Sequence, residues 1–329
     1  AENVFSKFLA SRCSKFNEAW HPSSMKESEE TMTQWTYVAP FTLRETLHIL
    51  GDTAHQTQAL AGGTCLLVDI RQGVVWPEKL IDLQHLEDLQ QICFTEHAVN
   101  IGARVTLAQV EHNKALQQRV PLLTEMAKSF GNPLIRRSAT LGGNIATARV
   151  MAADAVVPLC ALDATLVLQK ERAHSSMLRR AMRIAEYIRE TPDPSELITW
   201  ITIPVLPYNT CSFYYKLGNR KAGATALASI AVRITAQNQY LSTASVVLGA
   251  ITCAPFRVLR VEELLRGEVL PLRTGVIEEC VRTLEEDLPE PLHDVGASAS
   301  YRAAMGSALL RKALQQMHSA NENVLERDE

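Results

Sequence analysis

The sequence contains two short glycine segments, Ala61-Gly62-Gly63-Thr64 and Thr140-Leu141-Gly142-Gly143-Asn144. In each of them a Gly-Gly pair lies in a polar stretch with a hydroxyl side chain beside it. Glycine lets the main chain approach a ligand closely and adopt positive φ, so several backbone N–H groups can converge on a phosphate. We therefore predict two pyrophosphate-binding turns, with side-chain hydrogen bonds from Thr64 and Asn144. The alternative for each segment is an ordinary tight turn, since neither is a Rossmann or Walker motif.

The residues around the first segment alternate between strand and helix patterns. Strands are predicted at residues 58–60, 79–82 and 99–102. Helices are predicted at residues 43–51, 65–70, 106–113 and 121–130. Thr42 is a suitable N-cap for the first of these helices, and a helix directly after Thr64 would add its dipole to the anion site. This pattern is typical of an α/β lobe, which ends at the turn signal Gly131-Asn132-Pro133.

The second segment opens another α/β region, which continues through apolar residues 152–162 and a predicted strand at 164–168. A charge-rich stretch at 170–193 follows it. Further strands are predicted at residues 197–203, 211–216, 226–234 and 246–251. Helices then follow at residues 261–266, 273–287 and 301–318. Strands first and helices afterwards indicate an α+β lobe at the C-terminal end.

Composition narrows the class of protein. The 329 residues are 47% hydrophobic and 21% charged, which is the balance of a globular protein with a substantial core. A net charge of −3 carries no basic excess for a nucleic acid. No run approaches the roughly 20 apolar residues of a membrane helix. The seven cysteines have no close pair that would hold zinc or an iron–sulfur cluster, so they are interpreted as reduced thiols of a cytoplasmic protein.

Residues 1–32 differ from the rest of the chain. Phe5, Leu9, Phe16 and Trp20 recur at near-helical spacing, and the sequence then turns polar. We predict an amphipathic helix followed by a linker. Three interpretations remain open: a helix that docks a partner subunit, a terminal helix folded on its own core, and a targeting presequence.

Several segments in a fixed order resemble the flavin subunit of molybdenum hydroxylases, a family that includes the medium subunit of carbon monoxide dehydrogenase and the FAD domain of xanthine dehydrogenase. The resemblance extends from about Tyr37 to Leu314. It is carried by Ala61-Gly62-Gly63-Thr64-Cys65-Leu66-Leu67, Pro133-Leu134-Ile135-Arg136-Arg137-Ser138-Ala139-Thr140-Leu141-Gly142-Gly143-Asn144-Ile145, Ala153-Asp154, Ala161-Leu162-Asp163-Ala164, Lys216 with Arg220-Lys221, and His293-Asp294-Val295 with Ser300-Tyr301-Arg302.

The resemblance implies an α+β fold of the FAD-binding vanillyl-alcohol-oxidase (PCMH) type, with two α/β lobes and a C-terminal α+β lobe of strands followed by helices. The implied domains are 33–208, divided at 132/133, and 209–318, between the N-terminal extension and a tail at 319–329. In the family the two glycine segments hold the pyrophosphate and ribityl region of FAD, and a following Asp bonds the cofactor. The corresponding cofactor-binding candidates are Ala61, Gly62, Gly63, Thr64, Cys65, Leu66, Thr140, Gly143, Asn144 and Asp154, with Lys216 near the isoalloxazine.

Three departures from the family pattern bear on these candidates. Cys65 stands where the family usually has Asp, and residues 149–154 carry one residue more than the S-P-x-x-D run. After Arg220-Lys221 the family commonly has Asp-Ile-Ala, whereas this chain has Ala224-Thr225-Ala226. Asp154 could instead cap the helix that follows it, and Lys216 could be a solvated charge at a strand end. No catalytic residue and no metal ligand is assigned.

The resemblance implies an electron-transfer oxidoreductase subunit with FAD as its cofactor. Molybdopterin and 2Fe-2S clusters are expected on partner subunits, in a heterotrimer or a multiple of one. Electrons would then arrive from the iron–sulfur subunit and leave to NAD⁺ or another acceptor. The alternatives are a stand-alone FAD oxidoreductase of similar fold and a flavin-free assembly subunit, and the colour of the purified protein separates the latter from the others.

Overall fold

The computed structural model describes residues 35–52, 55–147, 153–172, 176–190, 193–220 and 225–325, with side chains up to residue 317. The predicted N-terminal helix and linker lie outside the described residues. So do residues 149–152 of the run before Asp154, Lys221, and the last four residues of the predicted tail.

A small parallel sheet with two helices forms the first lobe. Its strands, in the order β1-β3-β2, are β1 (Thr36–Val38), β2 (Thr57–Leu60) and β3 (Lys79–Asp82). Helix α1 (Leu43–Leu50) follows β1, and helix α2 (Leu66–Arg71) follows β2. The Thr42 hydroxyl accepts a hydrogen bond from the Glu45 N–H, which confirms the predicted N-cap of α1.

A five-stranded antiparallel sheet forms the second lobe, in the order β4-β5-β8-β6-β7. Its strands are β4 (Ile92–Phe94), β5 (Ala98–Gly102), β6 (Thr165–Arg172), β7 (Ser176–Arg183) and β8 (Leu197–Pro204). The helices beside it are α3 (Leu107–His112), α4 (Lys114–Arg119), α5 (Pro121–Ser129), α6 (Pro133–Ser138), α7 (Leu141–Ala146), α8 (Val156–Ala161) and α9 (Ile184–Tyr187), and a short 3-10 helix covers Glu87–Gln90. We call these two lobes together the N-terminal domain.

The predicted division of this domain at 132/133 does not follow the sheets. Strands β4 and β5 precede residue 132, yet β5 pairs with β8, with Ile101 opposite Ile201. The first lobe therefore ends before β4. The local pattern of a strand does not show which distant strand will pair with it, since partner and register are set by the packing of whole faces.

The C-terminal domain is a four-stranded antiparallel sheet covered by helices, in the order β12-β11-β10-β9. Its strands are β9 (Thr210–Gly218), β10 (Ala226–Gln237), β11 (Tyr240–Gly249) and β12 (Phe256–Arg257). Its helices are α10 (Leu259–Leu265), α11 (Thr274–Asp287) and α12 (Ala299–Leu325). The strands precede the helices, as predicted, and α12 extends beyond its predicted end at residue 318.

The two domains pack directly against each other across α8. A Cβ added to Gly249, at the end of β11, would lie 2.3 Å from Val157 Cγ2, so only glycine allows this approach. Asp163, after α8, accepts hydrogen bonds from Arg233 on β10 and Arg257 on β12, at 2.7 and 2.6 Å. This interface fixes the C-terminal sheet on the N-terminal domain. Among the helices of the described residues, none is both long and apolar enough to cross a membrane.

Candidate cofactor-binding site

The first glycine segment connects β2 to α2 and is half-buried. Gly63 has φ +66°, a conformation that favours glycine. No described residue accepts a hydrogen bond from the backbone N–H groups of Gly63, Thr64 or Cys65. Consecutive unused N–H groups at the start of a helix form a concave site for an anion. The predicted turn is present, and its binding of an anion stays a prediction.

The second glycine segment is a short helix rather than the predicted turn. Thr140 is the N-cap of α7, and its hydroxyl accepts a hydrogen bond from the Gly143 N–H at 3.1 Å. The Leu141 N–H donates to the Val105 carbonyl and the Gly142 N–H to the Ala103 carbonyl, both at 2.8 Å. The cap stabilises a helical turn in spite of two glycines. The N–H groups of Leu141, Gly142 and Gly143 are therefore used within the protein. A ligand could contact the outer surface of this segment but would not receive hydrogen bonds from these three groups.

The two glycines of α7 have different surroundings. A Cβ on Gly142 would lie 2.6 Å from the Ala103 Cβ and 2.8 Å from its carbonyl oxygen, so Gly142 allows α7 to pack on the end of β5. A Cβ on Gly143 would meet only the Thr140 hydroxyl, at 2.7 Å. Gly142 is thus required by packing, whereas Gly143 borders open space. The sequence pattern did not separate these two roles.

The two glycine segments touch each other. A Cβ on Gly62 would lie 1.8 Å from the Ser138 carbonyl oxygen and 3.1 Å from the Ala139 Cα. Ser138 and Ala139 directly precede Thr140, so the first segment lies against the entrance to the second. Neither residue was a predicted site residue, because no residue type marks a contact made by the main chain.

Asn144 and Asp154 join the second segment to the start of α8. The Asn144 Oδ1 accepts a hydrogen bond from the Ala155 N–H at 3.0 Å, inside the protein. Asp154, the residue before it, forms an ion pair with the Nζ of Lys216 on β9, and the two side chains are 5% and 6% exposed. Burial raises the pKa of Asp154, and the charge and hydrogen bond of Lys216 oppose that rise. Lys216 is therefore buried, and not the solvated charge that the sequence left open.

The surroundings of Lys216 are largely apolar and closed. Its Nζ lies 5.8 Å from the centre of the Phe130 ring. Tyr214, on the same face of β9, is buried, and its N–H donates to the Glu125 carboxylate at 3.3 Å. Burial, together with the charge of Asp154, raises the pKa of Tyr214 well above its usual value. Burial also raises the pKa of Glu125. Sequence reasoning missed Glu125, since a single acid on an amphipathic helix carries no signal.

Cys65 and Leu66 complete the first segment. Cys65 is the N-cap of α2 but makes no capping hydrogen bond with its side chain, and Leu66 is the first helical residue. An Asp at position 65 would be a stronger cap. Because Cys65 replaces the usual Asp, no described side chain caps the N-terminus of α2, and its backbone N–H groups there remain available.

The C-terminal signature makes its contacts within the C-terminal domain. Arg302, on α12, is fully buried and donates two hydrogen bonds to the Asp294 carboxylate, both at 2.8 Å. It also donates to the backbone carbonyls of Leu227 and, at 2.6 Å, Ala250. The signature therefore fastens α12 to the C-terminal sheet.

The residues fit an extended dinucleotide cofactor. The first segment offers N–H groups that no described residue uses, as a diphosphate requires, and Gly62 lets this segment pack against the main chain of Ser138 with no side chain between them. A two-lobed N-terminal domain with such a glycine segment, and a C-terminal domain packed on it, fit a dinucleotide-binding flavoprotein of the FAD type. Residues 30–206 match the family model described as the FAD binding domain in molybdopterin dehydrogenase. Residues 213–317 match the CO dehydrogenase flavoprotein C-terminal domain. The chain belongs to the FAD-binding subunits of the molybdenum hydroxylase family.

Individual relatives agree with this assignment. The nicotinate dehydrogenase FAD-subunit of Eubacterium barkeri is 30% identical over 74% of this chain and 83% of its own length. The glyceraldehyde dehydrogenase medium chain of Sulfolobus acidocaldarius is 28% identical over 86% and 98%. The solved structure of carbon monoxide dehydrogenase from Hydrogenophaga pseudoflava, 26% identical, superimposes with a TM-score of 0.79 over 85% of this chain and 96% of that one. The predicted family, PCMH-type fold, FAD cofactor and oxidoreductase class are confirmed.

Proposed function

We propose that residues 61–66 bind the diphosphate of FAD through their main chain, with Thr64 adding a hydroxyl. The observation that carries this proposal is the row of N–H groups, from Gly63 to Cys65, that no described residue uses. Thr140 and Gly143 would form the facing wall. Asn144, Asp154 and Lys216 would support that wall from behind, since their side-chain contacts are with protein groups.

FAD, when bound, supplies the redox chemistry, and the protein supplies binding and orientation. The main chain of the first segment holds the charged part of the cofactor, and the contact between Gly62 and Ser138 fixes the distance between the two walls. The buried ion pair of Asp154 and Lys216 would hold the start of α8 against the C-terminal domain behind the site. No described side chain has to act as an acid or a base for this role.

We also propose that the chain works with an iron–sulfur subunit and a molybdopterin subunit. It would receive electrons from the former and pass them to NAD⁺ or another acceptor. Support comes from the relatives, whose names describe medium chains or FAD subunits. The described residues contain no group of His, Cys, Asp or Glu that could hold a metal. A reducing cytoplasm fits the six free thiols of the described chain.

Copurification of the native protein with its partners tests whether it works in a complex with these two subunits. A chain purified alone and active would favour the stand-alone alternative.

Replacement of Gly143 by valine should lower the affinity for FAD by at least tenfold while the protein stays folded. The new side chain would displace the Thr140 hydroxyl, which lies 2.7 Å from the position of a Cβ at residue 143, and would project from the wall that α7 is proposed to form. A side chain that keeps the diphosphate from one charge-assisted hydrogen bond of roughly 1.5–3 kcal/mol lowers the affinity about tenfold or more. Titration of flavin fluorescence measures the change.

Two controls separate the possible causes of such a loss. Gly275→Val places the same side chain on α11, where a Cβ meets nothing within 4 Å, and should bind FAD normally. Thr140→Val removes the cap without filling the space at residue 143, and should bind FAD more tightly than Gly143→Val. Unchanged affinity in Gly143→Val would remove Thr140 and Gly143 from the proposed site.

A further inference from the structure

Strand β9, the edge strand of the C-terminal sheet, packs one of its faces against the N-terminal domain. Phe213 and Leu217 pack on the C-terminal core, while Tyr214 belongs to the core of the N-terminal domain. Lys216, on the same side as Tyr214, crosses the interface to Asp154. One face of this strand therefore touches the part of the molecule that carries the candidate cofactor site.

A continuous series of contacts leads from β9 to both glycine segments. The Lys216 ammonium holds Asp154, and the next residue, Ala155, donates its N–H to the Asn144 side chain. Asn144 lies in α7, whose N-cap Thr140 follows the main chain that touches Gly62. Each step is a buried ion pair, a buried hydrogen bond, or a backbone contact too close for a side chain.

In this series of contacts, the ion pair between Lys216 and Asp154 is the one that joins the two domains. Both charges are almost fully buried, so separating them would leave a charge without a partner in a low-dielectric interior, which is costly. A displacement of β9 therefore has to carry Asp154 with it, and with Asp154 the Ala155 N–H that Asn144 binds. Coupling of this kind travels through contiguous packed and hydrogen-bonded groups.

We propose that Lys216 is a positioning residue that couples occupancy of the FAD site to the docking of β9 on the N-terminal domain. The proposal rests on the proposed FAD site. Lys216 acts on that site through Asp154 and the bond between Asn144 and Ala155. Linkage is reciprocal, so bound FAD should strengthen the docking of β9 as much as docking strengthens FAD binding.

The test is amide hydrogen exchange with and without saturating FAD, since it reports local opening of β9. In the wild type, FAD should slow exchange both in residues 61–66 and 141–146 and in β9. In the double variant Asp154→Asn, Lys216→Met, FAD should still protect the glycine segments but protect β9 at least tenfold less. This variant buries neither charge unpaired, so it should fold, and saturating FAD keeps the comparison independent of affinity.

Two further variants make the test specific. Arg233→Met also breaks an ion pair between the domains, but its partner Asp163 lies at the far end of α8 from Ala155. In this variant the protection of β9 by FAD should be as in the wild type. Lys216→Arg keeps the charge and should retain the coupling.

Three results would overturn the inference. One is protection of β9 by FAD that is undiminished in the double variant. Another is an equal loss of protection in Arg233→Met, since the coupling would then belong to domain contact in general and not to Lys216. The third is a wild-type chain that binds no FAD, which would remove the proposed function as well. Titration of the wild type before the exchange experiment tells this third result from the other two.

Discussion

Replacing Gly62 by alanine should lower the affinity for FAD by about a hundredfold or more and also destabilise the protein. The new Cβ would lie 1.8 Å from the Ser138 carbonyl oxygen, and both partners are main chain, which cannot move aside as a flexible side chain would. Insertion of a methyl group into a closed contact costs roughly 1–3 kcal/mol of folding stability. Separation of the two segments would also lose about two charge-assisted hydrogen bonds to the diphosphate, roughly 1.5 kcal/mol each, which is about a hundredfold in affinity. The two walls of the site would have to separate.

Flavin fluorescence titration and thermal unfolding measure the two effects of Gly62→Ala. Gly275→Ala is the matched control, because a Cβ at that position of α11 meets no atom within 4 Å. Gly143→Val provides a second comparison, since its overlap involves one hydroxyl and should affect binding more than stability. A Gly62→Ala protein with normal FAD affinity would show that contact between the segments is not needed for the site.

Replacing Arg302 by methionine should lower the free energy of unfolding by about 3–5 kcal/mol, the usual cost of removing one partner of a buried charged pair. The change leaves the Asp294 carboxylate without its bidentate partner and the carbonyls of Leu227 and Ala250 without this donor. FAD binding by the folded fraction should persist, since Arg302 bonds Asp294 and main-chain carbonyls of the C-terminal domain, none of which belongs to the proposed site.

The same helix offers a matched control. Arg311 also forms a two-bond ion pair, with Glu278 of α11, but the two side chains are 38% and 46% exposed. Solvent screens such pairs, so Arg311→Met should lower the free energy of unfolding far less than Arg302→Met does. Urea unfolding at neutral pH compares the two variants. Equal losses would show that the buried cluster around Arg302 contributes no more than a surface pair.

The Arg302 cluster also predicts a dependence of stability on pH. Burial alone would raise the pKa of Asp294, but hydrogen bonds from Arg302 and from the N–H groups of Ala297 and Gly296 outweigh it and lower the pKa below 3.8. The cluster therefore contributes its full stabilisation above that pH and loses it as the pH falls through the lowered pKa. Arg302→Met should lack this part of the acid-induced loss.

Local elements of the fold could be predicted from the sequence because their signals are local. Thr42 caps α1 as expected, since an N-cap needs only a hydroxyl and a following helical pattern. The predicted strands at 79–82 and 197–203 correspond to β3 and β8. The turn at the first glycine segment could also be predicted, because a turn that needs a positive φ favours glycine, and Gly63 has a positive φ.

Contacts between distant parts of the chain could not be predicted in this way. Because β5 pairs with β8, the boundary between the first two lobes lies before β4 and not at 132/133. The contact between Gly62 and Ser138 involves the main chain of Ser138, and no residue type in the sequence indicates such a contact. The helical form of α7 depends on the Thr140 cap and on carbonyls at positions 103 and 105. The pairing of Lys216 with Asp154 joins two domains. Family resemblance placed both residues near the cofactor, but only the three-dimensional structure shows that they bind each other.

In the proposed function, the first glycine segment, facing α7, holds the diphosphate of FAD. The most direct measurement is a titration of the cofactor-free chain with FAD and, separately, with FMN, which lacks the diphosphate and adenosine. We expect saturable binding of one FAD per chain. The affinity for FMN should be at least a hundredfold lower, because two charge-assisted hydrogen bonds to the diphosphate, of roughly 1.5 kcal/mol each, would be lost. Equal affinity for the two flavins would contradict the proposed function.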